Sequence, residues 1–195
     1  MKTIIFATNN KNKVEEVRAI LDKEFKILSL KESGIDIDIP EPFDSLEENA
    51  REKANVVFNL KKQNCFSEDT GLEVEALNGA PGVKSARYAG EERLFEKNID
   101  KLLSKLAGKA NRKAQFRTII CLISKREEKF FEGICHGTII AERRGNSGFG
   151  YDAIFIPDGS EKSFAEMDIG EKNMFSHRNK AMKKLIYYLK NNPIS

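Results

Sequence analysis

Two neighbouring carboxylates, Glu68 and Asp69, stand in the string Ser67-Glu68-Asp69-Thr70-Gly71, between the apolar pieces Cys65-Phe66-Ser67 and Leu72-Glu73-Val74. Successive side chains of an extended strand point to opposite faces, so one carboxylate can meet a ligand while its neighbour turns elsewhere. Hard oxygen donors of this kind suit Mg²⁺ bridging a polyphosphate. A surface turn with acidic decoration is spelled the same way. A second polar string, Thr8, Asn9, Asn10, Lys11, Asn12 and Lys13, follows the apolar run Thr3 to Ala7 and precedes Val14, Val17 and Leu21 at helical spacing. Backbone N–H groups at the positive end of a helix, with two lysines beside them, suit phosphate. With no glycine and no GK[ST] this is not a Walker loop, and an ordinary polar strand-to-helix turn fits as well.

Two further strings carry binding chemistry. In Gly148-Phe149-Gly150-Tyr151-Asp152 the glycines let backbone approach a ligand and leave Phe149 presentable as a stacking platform; a β-bulge with a core phenylalanine has the same spelling. Glu171-Lys172-Asn173 is followed by Ser176-His177-Arg178-Asn179-Lys180, which places His177, Arg178 and Lys180 in the first turn of the last helix. The macrodipole disfavours cations there, so something acceptor-rich is expected to offset them. His136, the other histidine, is read as structural.

These residues need elements to position them. Thr3 to Ala7 and Lys26 to Leu30 read as short strands. A helix starts at Ser45, where Ser45 and Glu48 have capping-box spacing, and Leu46, Ala50, Ala54, Val57 and Phe58 form its apolar stripe. Asn49 and Lys53, four apart, share a face beside that stripe and are expected to reach the same ligand. Leu94 to Leu106 marks a helix ending near Gly108. Gln115 to Ser124 and Phe130 to Glu142 read as strands joined by the charged residues 125–129. Ala181, Leu185 and Leu189 mark a closing helix.

At 195 residues, 40% hydrophobic and 32% charged, the chain can bury roughly 70% of its unfolded surface and is no disordered tail. No apolar run reaches ~18 residues and the start lacks a signal-peptide core, so a cytoplasmic protein without membrane contact is expected. Three cysteines, Cys65, Cys121 and Cys135, are widely spaced and read as reduced, buried thiols. The net charge is +3. Residues 32–52 hold eight acids against Arg51 alone, whereas 172–190 hold six Lys or Arg and no acid. The basic segments at 109–113 and 125–129 lack interleaved aromatics, so no nucleic-acid partner is expected.

Taken in order, these strings resemble the inosine/xanthosine triphosphate pyrophosphatases. Thr8 to Lys13, Glu48-Asn49-Ala50 with Lys53-Ala54, Ser67 to Gly71, Gly79-Ala80-Pro81-Gly82 with Ser85-Ala86-Arg87-Tyr88, Gly148 to Asp152, and Ser176-His177-Arg178 occur in that family's register, together with Ser163 to Met167. The resemblance covers residues 3–189. It implies an α/β fold with a mixed sheet in two lobes around a central cleft, a single domain over 1–195, and a homodimer. It also implies Mg²⁺-dependent hydrolysis of non-standard purine nucleoside triphosphates to the monophosphate and pyrophosphate. Carried over by position, Asp69 is the catalytic carboxylate and a metal ligand, with Glu41 as the second metal-binding acid. Thr8 to Lys13 and Lys53 hold the triphosphate. Thr70 and Phe149, Gly150, Tyr151 and Asp152 contact the nucleotide, and Lys172, His177 and Arg178 complete the base pocket.

Overall fold

The computed structural model describes residues 2–21 and 25–192. Met1, residues 22–24 and residues 193–195, which the expected domain of 1–195 includes, lie outside the described residues. The strands are β1 Lys2–Phe6, β2 Phe25–Leu28, β3 Cys65–Val74, β4 Pro81–Gly82, β5 Lys113–Ile123, β6 Glu128–Ile139 and β7 Phe155–Pro157. The helices are α1 Lys11–Ile20, α2 Leu46–Lys61, α3 Phe95–Lys105, α4 Ile169–Phe175 and α5 His177–Asn191. The strands form one mixed sheet in the order β2-β1-β3-β5-β6-β7, with β4 on β3. β1 pairs in parallel with β2 and β3, whereas β4 and β7 pair antiparallel with β3 and β6. Among the described residues no helix is long and apolar enough to cross a membrane.

The chain divides into two compact units. The first comprises residues 1–69, 118–133 and 178–195. Its core joins Ile4 and Phe6 of β1, Val14 and Val17 of α1, and Ala181, Leu185 and Leu189 of α5. The helical spacings that marked these helices in the sequence are therefore the buried stripes that pack here. Phe6 and Phe66 stack with ring centroids 4.5 Å apart. The second unit comprises 70–117 and 134–177, and its core is built on Leu72, Leu102, Phe116, Ile139, Phe155 and Phe164.

Several elements differ from the sequence expectation. The two short pieces expected around residues 68–71 are one continuous ten-residue strand, β3, because the polar residues between them are buried and paired instead of turning to solvent. α4 was not anticipated. It is seven residues long and opens on a capping box in which Asp168 and Glu171 each accept from the other's backbone N–H. At α2, Ser45 caps the helix as expected, accepting from Glu48 N at 3.2 Å, but its hydroxyl also donates to the Glu48 carboxylate at 2.6 Å.

All three cysteines are buried and free. Burial, chiefly, pushes the Cys65 and Cys121 thiols up to about 12. At pH 8 only ~10⁻⁴ of such a thiol is thiolate, the reactive form. Ellman's reagent is accordingly expected to release almost no chromophore from the native protein over minutes and three equivalents after unfolding in guanidinium. Prompt native reaction at Cys65 or Cys121, located by peptide mapping, would contradict the burial described here.

Candidate active site

In the first unit the functional side chains meet along the middle of β3. Glu68 is fully buried and collects two cations. Arg178, at the second position of α5, donates from Nε and Nη2 to its two carboxylate oxygens, both at 2.7 Å. Lys13 of α1 approaches Glu68 Oε1 at 3.1 Å. Arg178 Nη1 donates in addition to Glu16, also buried and on α1. Burial alone would raise the Glu68 carboxyl, but Arg178 and then Lys13 hold it well below the usual carboxylate range. The pair is ionised and bidentate, the geometry in which Arg–carboxylate contacts are strongest.

The alternation of the strand carries the next residue, Asp69, away from that cluster. Its Oδ1 lies 3.4 Å from Lys53 Nζ, and the same ammonium donates to Glu41 Oε1. Asp69 Oδ2 is buried with no hydrogen-bond partner among the described residues. Burial lifts the Asp69 carboxyl above its ordinary value; Lys53 opposes this and Glu41 adds to it. The Lys53 ammonium is correspondingly held charged by Asp69 and Glu41 against its own desolvation. An orphaned buried carboxylate oxygen beside a second carboxylate fits a hard divalent cation. Among the described residues no group of three or more metal-binding side chains occurs. Mg²⁺ takes one or two carboxylates and completes its shell with water and substrate phosphate.

The turn that precedes α1 is held open by its own side chains. Asn10 caps the helix, its Oδ1 accepting from Lys13 N, and Thr8 Oγ1 accepts from Asn10 N, both at 3.2 Å. Asn9 Oδ1 accepts from Lys31 N at 2.9 Å. Asn9 and Asn10 thus shape the turn, Lys11 and Asn12 form its exposed and half-buried helical start, and the first turn of α1 carries no acid to neutralise the helix dipole. Such an end favours an anion.

In the second unit, Asp152 is the hub. Its Oδ2 accepts from Lys172 Nζ at 2.6 Å and from Phe149 N at 2.9 Å. The Lys172 ammonium also lies 5.1 Å from the centroid of Phe149 and 5.3 Å from that of Phe164. Gly148 and Gly150 both have positive φ, and a Cβ on Gly148 would stand 2.2 Å from Asp152 Oδ2. The glycine is therefore needed for the loop to close on the carboxylate. Tyr151 is buried and donates to the Ser85 carbonyl at 2.9 Å. His177 is buried against Phe116, with ring centroids 4.7 Å apart and planes at 16°. Thr70, half-buried, follows Asp69 on β3.

With the geometry in hand, comparison with known proteins gives a consistent result. The Ham1 family model matches residues 4–188. The chain belongs to the Ham1 family. A dITP/XTP pyrophosphatase of Flavobacterium psychrophilum is 50% identical over 188 residues, 96% of this chain and 99% of that protein. One of Porphyromonas gingivalis is 50% identical over 190 residues, 97% and 98% of the two chains. Among solved structures, the Ham1 protein of Staphylococcus aureus matches with a TM-score of 0.88 at 37% identity, covering 97% of this chain and 99% of its own. That of Coxiella burnetii gives 0.89 at 35%, covering 98% and 100%.

Within this Ham1 fold the sequence-flagged residues fall into two sets. In the first unit Lys53 joins Glu41 and Asp69 while Lys13 pairs with Glu68, and Phe149, Asp152, Lys172 and His177 belong to the second. Arg178 was grouped by sequence with Lys172 and His177. Its guanidinium lies in the first unit, committed to Glu68 and Glu16, a task the sequence did not show. Asn49, expected to reach a ligand beside Lys53, bonds instead to the backbone of Phe43. Glu16 was missed altogether: beside Glu15 on a helix it reads as solvated, and its buried pairing is with Arg178, 162 positions away.

Removing one partner from a buried ion pair leaves an uncompensated charge. Glu68→Ala is expected to cost about 3–5 kcal/mol of stability. Lys97→Ala, which breaks the exposed pair with Glu92, should stay within about 0.5 kcal/mol. Urea unfolding of the two variants checks the contrast, which fails if they lose similar amounts.

Proposed function

We propose that this protein is a nucleoside triphosphate pyrophosphohydrolase that hydrolyses the non-standard purine triphosphates ITP, dITP and XTP to the monophosphate and pyrophosphate. The observation that carries the reading is the Asp69 carboxylate, buried, held at Oδ1 by Lys53 and with its Oδ2 unpartnered among the described residues. The relatives named dITP/XTP pyrophosphatase, nearly equal to this chain in length, support the substrate class.

In this reading water attacks the α-phosphorus, the bond from that phosphorus to the α,β-bridging oxygen breaks, and pyrophosphate leaves. Asp69, through Oδ2, orients the water and takes its proton. Mg²⁺, when bound by Asp69 and Glu41, neutralises phosphate oxygens and lowers the pKa of bound water. Lys53 keeps the two acids together and adds a positive charge for the oxygens that gain charge in the transition state. The turn from Thr8 to Lys13 supplies helix-end N–H groups and lysines to the triphosphate. Phe149 stacks on the base, and the loop of Gly150, Tyr151 and Asp152, with Thr70 and His177, completes nucleotide binding; Arg178, engaged by Glu68 and Glu16, serves the site by holding β3.

Base choice follows from hydrogen-bond sign. Lysine is a donor only, and Asp152 with the two rings fixes where Lys172 presents its charge. Hypoxanthine and xanthine offer a 6-oxo acceptor, whereas adenine offers an amino donor, and a donor facing a donor leaves both unpaired. A homodimer in the cytoplasm completes the proposal; the family resemblance implies the dimer, and three buried, reduced cysteines accord with the compartment.

The direct test is pyrophosphate release from a panel of ITP, dITP, XTP, GTP and ATP, with and without Mg²⁺. Turnover of ITP and XTP is expected only with the metal, with ATP slower by ~10² or more. Metal-independent rates or a preference for ATP would refute the reading. Asp69→Asn should lower kcat by ~10²–10⁴ while nucleotide still binds; a wild-type rate moves the catalytic role elsewhere. Gly148→Ala pushes against the oxygen that holds Lys172 and is expected to raise KM for ITP about tenfold or more with a smaller change in kcat. An unchanged KM would mean that Lys172 does not need Asp152 to meet the base.

A further inference from the structure

Glu41 lies in a segment, residues 35–45, that contains neither helix nor strand. Ile39 is buried, but Pro42, Phe43 and Asp44 after it are exposed, so hydrophobic packing does little to fix the chain where the carboxylate leaves it. Two polar contacts tie it to α2. One is the Lys53 ammonium on Glu41 itself. The other is the side-chain amide of Asn49, fully buried in the first turn of α2. It donates from Nδ2 to the Phe43 carbonyl and accepts at Oδ1 from Phe43 N, both at 3.0 Å. This amide copies the bonding of a neighbouring strand and closes both backbone groups of one residue at once. Asn49 and Lys53 are one helical turn apart, so α2 grips the segment at two points, backbone at 43 and carboxylate at 41.

We propose that Asn49 is a positioning residue for the metal: by clamping Phe43 to α2 it sets where the Glu41 carboxylate stands relative to Asp69. It touches neither metal nor substrate. The inference rests on the metal-dependent reading above and deepens it. An asparagine is required because it alone of the short side chains supplies one donor and one acceptor on a planar group. Aspartate keeps the acceptor for Phe43 N and turns a second acceptor towards the Phe43 carbonyl.

The test is calorimetric titration of Mg²⁺ into protein saturated with α,β-methylene-ITP, alongside Mg²⁺-dependent turnover of ITP. Asn49→Ala and the nearly isosteric Asn49→Asp are each expected to weaken Mg²⁺ binding about 5- to 30-fold, with KM for ITP at saturating Mg²⁺ changed far less. Glu41→Gln supplies the decisive background. If Asn49 acts through Glu41, adding Asn49→Ala to Glu41→Gln weakens Mg²⁺ binding no further. A wild-type Mg²⁺ affinity in either folded single variant, or an equal loss in both backgrounds, overturns the proposal, even if thermal stability falls. Should Asn49→Ala not fold, Asn49→Asp carries the same cycle. Wild-type protein without Mg²⁺-dependent turnover defeats the functional reading itself, whereas a metal-dependent wild type with insensitive Asn49 variants defeats this inference alone.

Discussion

A guanidinium with 2% of its surface exposed must find its counter-charge inside the protein, and Arg178 finds it in two carboxylates from different elements. Glu68 comes from β3 and Glu16 from α1, while Arg178 begins α5; Lys13, one turn before Glu16, returns a second cation to Glu68. The desolvation of these four groups is a heavy cost, offset only because every ionic contact is close and the Glu68 contact is bidentate. Such a cluster tolerates little displacement of any member. It therefore fixes the rotation of β3 about its own axis, and with it the direction of the following side chain. Asp69 points where it does because Glu68 has been spent on Arg178.

The two units use the same device on different chemistry. In each, a lysine is anchored by a carboxylate: Lys53 between Asp69 and Glu41 in the first, Lys172 on Asp152 in the second. A lysine on a four-carbon stem is otherwise a mobile point charge. Anchored, it becomes a preorganised donor whose ordering has been completed during folding and costs nothing further when a ligand arrives. The second anchor is reinforced by two aromatic faces around Lys172, the first by burial around Lys53. Buried asparagines serve the surrounding loops in a parallel way. Asn98 donates to the Ala86 carbonyl at 3.0 Å and accepts from Ala89 N at 2.7 Å, clamping the 86–89 loop to α3 as Asn49 clamps residue 43 to α2.

Much of this was legible in the chain because it rests on local rules. The stripes of α1, α2 and α5, the Ser45 cap and the glycine-flanked Phe149 are decided within a few residues of sequence. The Asp168–Glu171 box that opens α4 was equally local and readable, although α4's seven residues carry only a short apolar pattern. What could not be read is non-local. Glu68-Asp69-Thr70-Gly71 interrupts an apolar pattern, and its survival as strand depends on cations supplied from residues 13, 53 and 178. Glu16 looks like any solvated helix acid until Arg178 is placed beside it. Asn49 shares a face with Lys53 as its spacing indicates, but spacing does not say whether an amide meets a ligand or the protein's own backbone.

The same contacts resolve the tension at the start of α5, where His177, Arg178 and Lys180 crowd a helix end that repels cations. Arg178 is not a bare cation there. Two buried carboxylates surround it, so the charge that the dipole meets at that point is net negative by one, before Lys13 is counted. His177 stacks on Phe116 with Phe164 tilted beside it, so the imidazole packs as a flat ring. Lys180 is exposed and screened by water. The most buried member of the basic run is thus spent inside the fold, holding β3 in the orientation on which the neighbouring carboxylate depends.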